Sequence, residues 1–288
     1  MKEMIVLLCA LVLACLSSLL FAEAKATVPL KAMTYNIRYD NPSDGADNWK
    51  HRREYISSLL RYHSPDLLCI QEGLHNQVLD LAAALPDFAW CGVGREDGAE
   101  QGEYAAVFYD QKRFRKLGNG DFWLSATPEE PSLGWDAACI RICTWVRLLD
   151  TQTGTEFHVY NTHFDHVGQT ARENSARLVV ERLKALSAGS PVLLTGDFNA
   201  PDTDIVYGIL TGDGGLQDSG KRSQLPHHGP AATWHGFYPG AVDQPAGIDF
   251  IFTGGGISTL RHATLSEVMD NGHFPSDHLP VLAEVLLP

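Results

Sequence analysis

The sequence predicts an α+β fold in which two mainly antiparallel sheets pack face to face with helices outside. Three observations predict it. Strand-like and helix-like segments mix along the chain with no break. Strand-like segments outnumber helical ones. A TQTGT turn joins two of the strands in hairpin fashion, and hairpins pair antiparallel.

The elements follow in order. VPLKAMTYNIRYD is a first strand, followed by a loop rich in Asn, Asp, Pro, Ser and Gly over residues 41–48. WKHRREYISSLLRYHSP places Tyr55, Ile56, Leu59, Leu60 and Tyr62 at helical spacing before a Pro stop. DLLCIQEG is a short apolar strand, and HNQVLDLAAALP is a second helix. EYAAVFYD, CIRICTWVRLLD and TEFHVYNTHFDH read as strands. QTARENSARLVVERLKALSAG, with Val179, Val180, Leu183 and Leu186 on one face and a Gly after its end, is the clearest helix. PVLLTGDFNA, GIDFIFTGG and LPVLAEVLL complete the strands.

The chain has 288 residues, 44% hydrophobic and 20% charged. That is ordinary globular composition and enough chain for a sizeable core. Residues 1–24 (a Lys, an apolar stretch from Met4, then Ala22-Glu23-Ala24) read as a signal peptide. Residues 25–288 read as one exported domain, periplasmic or extracellular. The alternatives are a retained anchor, or a lipid attached at Cys15 after Val-Leu-Ala. No integral membrane segment is expected once the leader is cut. Its loss moves the net charge from −13 to −12. A broad acidic surface does not steer towards a phosphate backbone, so no stable nucleic-acid complex is expected. Cys69, Cys91, Cys139 and Cys143 remain. They read mostly as core thiols, with a bridge at Cys91 left open. Four residues of strand span roughly 13 Å, too far for Cys139 to bond Cys143.

Several apolar strands end in polar groups. They bring Asn36, then Gln71 and Glu72, then Asn161, His163, Asp165 and His166, then Asp197 and Asn199, then Asp249. Asp277-His278 stands just before the last strand. Each has a plain alternative: a turn, a cap or a surface charge. TGDFNA by itself reads first as a turn and only second as a site. Together they make a set of acids, amides and histidines with no Ser or Cys nucleophile context. A hard cation such as Mg²⁺ takes oxygen ligands from one or two carboxylates, with waters and phosphate. Amides and imidazoles stabilise charge growing on a phosphoryl group, and a carboxylate can activate water. That chemistry is phosphoester hydrolysis without a covalent intermediate.

TYN, QE, NTHF, GDFN, IDFIF and SDHLPV, in this order, resemble the endonuclease/exonuclease/phosphatase superfamily. The likeness covers about residues 28 to 287 and is nearest a secreted bacterial branch beside the deadenylases. It implies a deoxyribonuclease I-like, four-layer α/β/β/α sandwich with its site at one edge. It implies Mg²⁺, with Mn²⁺ as an alternative, held by Glu72 with Asn36 and Asp277. It implies that Asp197 activates water, that Asn199 and His163 hold the scissile phosphate, and that His278, paired to Asp249, stabilises the transition state. The expected partner is a phosphoester substrate, a diester before a monoester.

The pattern departs from the nucleases at Arg38, where some carry Asp. Arg38 and Arg141 are therefore candidates for phosphate oxygens, or for pairing with nearby acids. Asp165, His166, Arg172, Trp234 and His235 are further substrate-side candidates. A preformed two-metal site would need more Asp and His ligands on two ions about 4 Å apart. The rival from another class is a non-catalytic binding module on the same fold.

Overall fold

The structure is a computed structural model that describes residues 28–240 and 247–288. The leader expected over residues 1–24, with Cys15, lies outside them. No helix among the described residues is long and apolar enough to cross a membrane.

In chain order the elements are β1 (Leu30–Asn36), α1 (Trp49–His63), β2 (Leu67–Gln71), α2 (His75–Ala84), β3 (Phe88–Cys91), β4 (Val107–Asp110), β5 (Phe114–Trp123), β6 (Ile142–Asp150) and β7 (Thr155–His163). Then follow α3 (Gln169–Ser187), β8 (Val192–Asp197), β9 (Gln217–Asp218), β10 (Asp249–Gly254), β11 (Ser258–Thr264) and β12 (Val281–Leu286). One sheet runs β11-β12-β1-β2-β4-β3 and the other β5-β6-β7-β8-β10-β9.

Pairing is mainly antiparallel, with two exceptions. β1 runs parallel to β2, and β7 runs parallel to β8. The helices α1 and α3 lie between them in the chain, supplying the crossovers that parallel pairs need. Each parallel pair therefore delivers two strand C-termini to one edge.

Side-chain alternation builds the layers. Leu30 and Ala32 of β1 face the space between the sheets, with Leu67, Val159, Leu193, Ile251 and Ala283. Met33 and Tyr35 face outward onto Ile56, Leu60, Val78 and Leu81 of α1 and α2. Tyr160, Leu194 and Phe252 face Val179, Val180 and Leu183 of α3. Strands covered on both faces explain the nearly continuous apolar runs.

Four strands escape the sequence pattern. β3 and β9 are short, β11 is polar, and β5 carries a Gly-Asn-Gly centre that reads as a turn. Pairing along β6 holds β5 extended, and a Cβ at Gly120 would meet Trp145 at 2.9 Å. Residues 139–141 lie outside the strand that the sequence suggested, since β6 starts at Ile142. The four cysteines among the described residues are free, so the bridge left open at Cys91 is not formed among them.

Towards one edge the inter-sheet layer turns polar. Gln71 Nε2 donates to Thr34 Oγ1 at 2.9 Å and across the sandwich to Asn161 Oδ1 at 2.6 Å. Asn161 Nδ2 donates back to the carbonyls of Ile70 and Ala106, at 2.8 and 2.9 Å. Both side chains are fully buried. Near the same edge, buried Asp165 accepts from the amides of Ala138, Cys139, Val167 and Gly168. It thereby ties the loop before β6 to the start of α3. Burial opposes its ionisation, but the amides of Gly168, Ala138 and Val167, with Arg141, hold the carboxyl down to about 2.

Two outcomes follow. Asn161→Ala strands several buried partners, so urea unfolding should show a loss of about 2–4 kcal/mol; a loss below about 1 would refute the role given to this layer. Asp165→Asn should cost about 1–3 kcal/mol at neutral pH. A depressed carboxyl stabilises above its ordinary 3.8 and loses that contribution as pH falls towards about 2. The gap between wild type and variant should therefore be full at pH 7 and close on acidification through that range. A gap independent of pH would contradict it.

Candidate active site

The polar strand ends meet at one edge of the sandwich, around a cleft of ≈ 620 Å³. Asn36 closes β1 and is fully buried. Its Nδ2 donates to Glu72 Oε1 and to Asp197 Oδ2, both at 3.0 Å. Glu72 follows β2, and its other oxygen accepts from the Tyr39 amide at 3.2 Å. Ser276 Oγ bonds the Asn36 carbonyl at 2.7 Å and so fastens the Asp277-His278 segment to β1. Arg52, fully buried on α1, donates to the carbonyls of Asp47, Ile37, Pro275 and Arg38. It clamps the same junction from behind.

β8 brings Asp197 to the edge because Gly196 lets β7 approach: a Cβ there would lie 2.2 Å from the Thr162 carbonyl oxygen. Asp197 Oδ1 accepts from the Asn199 amide at 2.9 Å, which is the turn that TGDFNA suggested. The stretch is thus both a turn and a cleft wall. Asp197 Oδ2 faces His163 Nε2 at 3.4 Å and His278 Nε2 at 3.6 Å. His278 Nδ1 meets Asp249 Oδ2 at 2.9 Å. Glu72, Arg38 and Asn199 all take positive φ, at 63, 55 and 47°. Such backbone costs of order 1–3 kcal/mol per residue and clusters at functional sites.

The two histidines are driven to opposite states. Burial disfavours charge on both. For His163 the cations of Arg141 and Arg95 add to burial and hold its pKa well below the usual value. For His278 the carboxylates of Asp249 and Asp197 outweigh burial and hold it well above. Burial first, and the charge of Asp249 second, push Asp197 up to about 7, with His278 opposing. Burial and the charge of Glu72 also raise Asp277, against the pull of His278 and Arg38.

Glu72, Asp277, Asp197, His163, Asn199, His278, Arg38, Arg141, His166 and Trp234 all line the cleft. Asp249 stands behind His278. Arg38 and Arg141 both pair with nearby acids, and both also line the cleft. Arg38 makes a two-point ion pair with Asp44 and still faces the cleft. Arg141 contacts Asp165 and His166, yet its Nη1 has no partner.

Three of the expected residues are engaged elsewhere. Asp165 does not line the cleft, and loop amides and Arg141 take up its oxygens. His235 packs on Phe274 beneath the Trp234 loop rather than walling the cleft. Arg172 bonds the Asp165 carbonyl and Gln169, and steadies the start of α3. Conversely, the sequence did not single out Tyr39, Arg95, Glu103, Cys139 or Ile248, which line the cleft. Glu103 pairs with Arg95 and lies 3.9 Å from His163 Nδ1. Burial, reinforced by the charge of Glu72, pushes it up to about 7 against the pull of Arg95. Its place before the apolar YAAVFY run was the only signal, and a weak one.

The donor set fits a hard divalent cation. Each Glu72 oxygen takes one hydrogen bond from an uncharged donor and keeps free lone pairs, and the charge of Glu72 disfavours ionisation of Asp277. An ion held by Glu72, Asp277 and the Asn36 edge would relieve that repulsion. Asp197, Asp249 and His278 also offer ligand atoms within 4.8 Å of one another. There, however, His278 is hydrogen-bonded to Asp249 at 2.9 Å and ion-paired with Asp197 at 3.6 Å.

Known proteins share this architecture. An endonuclease/exonuclease/phosphatase from Bacteroides vulgatus is 38% identical, with 91% of this chain and 100% of that one covered at a TM-score of 0.86. The mannosyl-6-phosphatase Bt3783 of Bacteroides thetaiotaomicron is 38% identical, with 89% and 99% covered at a TM-score of 0.84. Uncharacterized protein L388 of Acanthamoeba polyphaga mimivirus is 27% identical over 161 residues, 54% of this chain and 60% of that one. The chain spans 26–60% of the length of the curated relatives it matches first, Nocturnin of Drosophila melanogaster among them. The family model described as Endonuclease/Exonuclease/phosphatase matches residues 33–278, all but the ends of the described fold. The chain belongs to the endonuclease/exonuclease/phosphatase family.

Proposed function

We propose that the protein is a metal-dependent phosphoester hydrolase, exported by its 1–24 leader and acting on a small phosphorylated compound. A sugar phosphate monoester is the favoured class, ahead of the diester that the sequence led us to expect. The observation that carries this reading is the convergence of Glu72, Asp277, Asp197 and His278 on one cleft of ≈ 620 Å³. That volume suits a small molecule. The exposed Trp234 on its wall offers a face to a sugar ring. The likeness to a mannosyl-6-phosphatase and the acidic chain point the same way.

Glu72, Asp277 and Asn36 would hold Mg²⁺ or Mn²⁺, which when bound supplies Lewis-acid charge at a phosphoryl oxygen. The remaining work falls to the chain. Asp197, its pKa near 7, accepts the proton of the attacking water. Asn36 and the Asn199 amide hold its two oxygens in place. His278, kept cationic by Asp249 and Asp197, donates to the phosphoryl oxygens as charge grows on them. Neutral His163 and the unpartnered Nη1 of Arg141 orient the phosphate.

Glu72→Gln and His278→Ala should each lower kcat/KM by about 10²–10⁴-fold in protein that still melts cooperatively above the assay temperature. Near-normal turnover in either variant would sink the assignment. Against hexose 6-phosphates, p-nitrophenyl phosphate, bis-p-nitrophenyl phosphate and poly(A), wild type should turn over the monoesters best. EDTA should abolish that turnover, and Mg²⁺ or Mn²⁺ should restore it. Preference for poly(A) or the diester would replace the sugar-phosphate reading with a nuclease one. A folded, metal-loaded protein inert towards all four would favour a binding module.

A further inference from the structure

We propose that Arg38 is a built-in second cation of the cleft, so that the site takes one divalent ion and not a pair. The inference rests on the metal-dependent reading of the same cleft. Arg38 Nη1 lies 3.9 Å from Glu72 Oε2 and 3.8 Å from Asp277 Oδ2. It therefore stands between the two carboxylates best placed to share ions. Two-metal phosphoryl-transfer sites set their ions about 3.5–4 Å apart. A guanidinium at these distances takes the room and the charge of the second ion.

Its position is rigid. Nε and Nη2 are spent on Asp44, at 3.0 and 3.1 Å, leaving Nη1 as the nitrogen that faces the cleft. The guanidinium also lies over the Tyr39 ring, 4.6 Å from its centre. Arg52 and Gln77 both hold the Arg38 carbonyl, and the positive φ of Arg38 sets the direction in which the side chain leaves the strand end. A flexible surface arginine would need none of this.

The charges close on a single ion. Asp44, Glu72 and Asp277 carry three negative charges, and one guanidinium with one divalent ion supplies three positive ones. A second divalent ion would leave the group strongly positive in a half-buried cleft, where charge is costly. Arg38 thus tunes the site in two ways: it weakens the hold on the first ion, and it excludes another. At the same time its Nη1 is placed to meet a phosphate oxygen, as a bound cation would.

The test is Mn²⁺ binding to metal-stripped protein, followed through the electron paramagnetic resonance signal of the free ion. Wild type should bind one ion per chain that Glu72→Gln loses. Arg38→Ala should tighten that ion by about tenfold or more, or admit a second. Arg38→Lys, which keeps the charge but loses the two-point pair with Asp44, should fall between wild type and Arg38→Ala. Arg38→Gln carries the same expectation as Arg38→Ala should the alanine variant fail to fold. Two Glu72-dependent ions in wild type would overturn the proposal. So would an unchanged stoichiometry, with affinity within about twofold of wild type, in the uncharged variants. Ions that bind equally well to Glu72→Gln, or none at all in wild type, would instead remove the metal site itself and the proposal with it.

Discussion

One side-chain amide links the two halves of the molecule where chemistry is expected. Asn36 Nδ2 gives one hydrogen to Glu72 of the first sheet and the other to Asp197 of the second. Both acceptors are carboxylates, so both bonds are charge-assisted and among the stronger kinds in proteins. Without such a donor, two acids would face each other across the buried end of a sandwich at a high cost in desolvation. With it, their oxygens are fixed relative to one another. The polar layer of Thr34, Gln71 and Asn161 below continues the same zipper between the sheets. It lets an apolar core grade into a charged cleft through hydrogen-bonded side chains.

The topology makes that meeting possible. A sandwich of hairpins alone would send neighbouring strand ends to opposite edges. Two parallel pairs, β1–β2 and β7–β8, send four C-termini to one edge. β10 and β12 start there, with Asp249 opposite Asp197 and Val281 opposite Thr34. Six strands from two sheets therefore contribute to one cleft. The positive φ values at Arg38, Glu72 and Asn199 mark where the chain turns sharply at that edge. Their cost is offset by the hydrogen bonds that Arg52, Asn36 and Asp197 make around them.

Within the cleft, equally buried groups reach different states because of their neighbours. His163 sits near two arginines and stays neutral, while His278 sits between two acids and stays charged. Pairs of like residues pushed apart in this way divide donor and acceptor roles at a single pH. The acids divide similarly: Asp165, wrapped in amides, is a fixed anion, whereas Asp197, beside Asp249, is poised near neutrality.

The sequence by itself determined the sandwich, the two-sided burial of its strands and most of the acids and amides at the edge. Apolar runs that stop on Asn36, Glu72 and Asp197, or start from Asp249, are local signals that survive without coordinates. Tertiary structure decided what periodicity cannot carry. β5 is a strand because β6 pairs with it, although its Gly-Asn-Gly centre argues for a turn. Asp165 and His235 share the composition of site residues but turn inward, since loop amides and Phe274 claim them. Arg95 and Glu103 enter the cleft from segments with no strand-end pattern. Arg38 becomes a cleft cation because Asp44 and the strand-end turn aim it there. Charge states and partners depend on distances between segments far apart in the chain, and those exist only once the two sheets have closed.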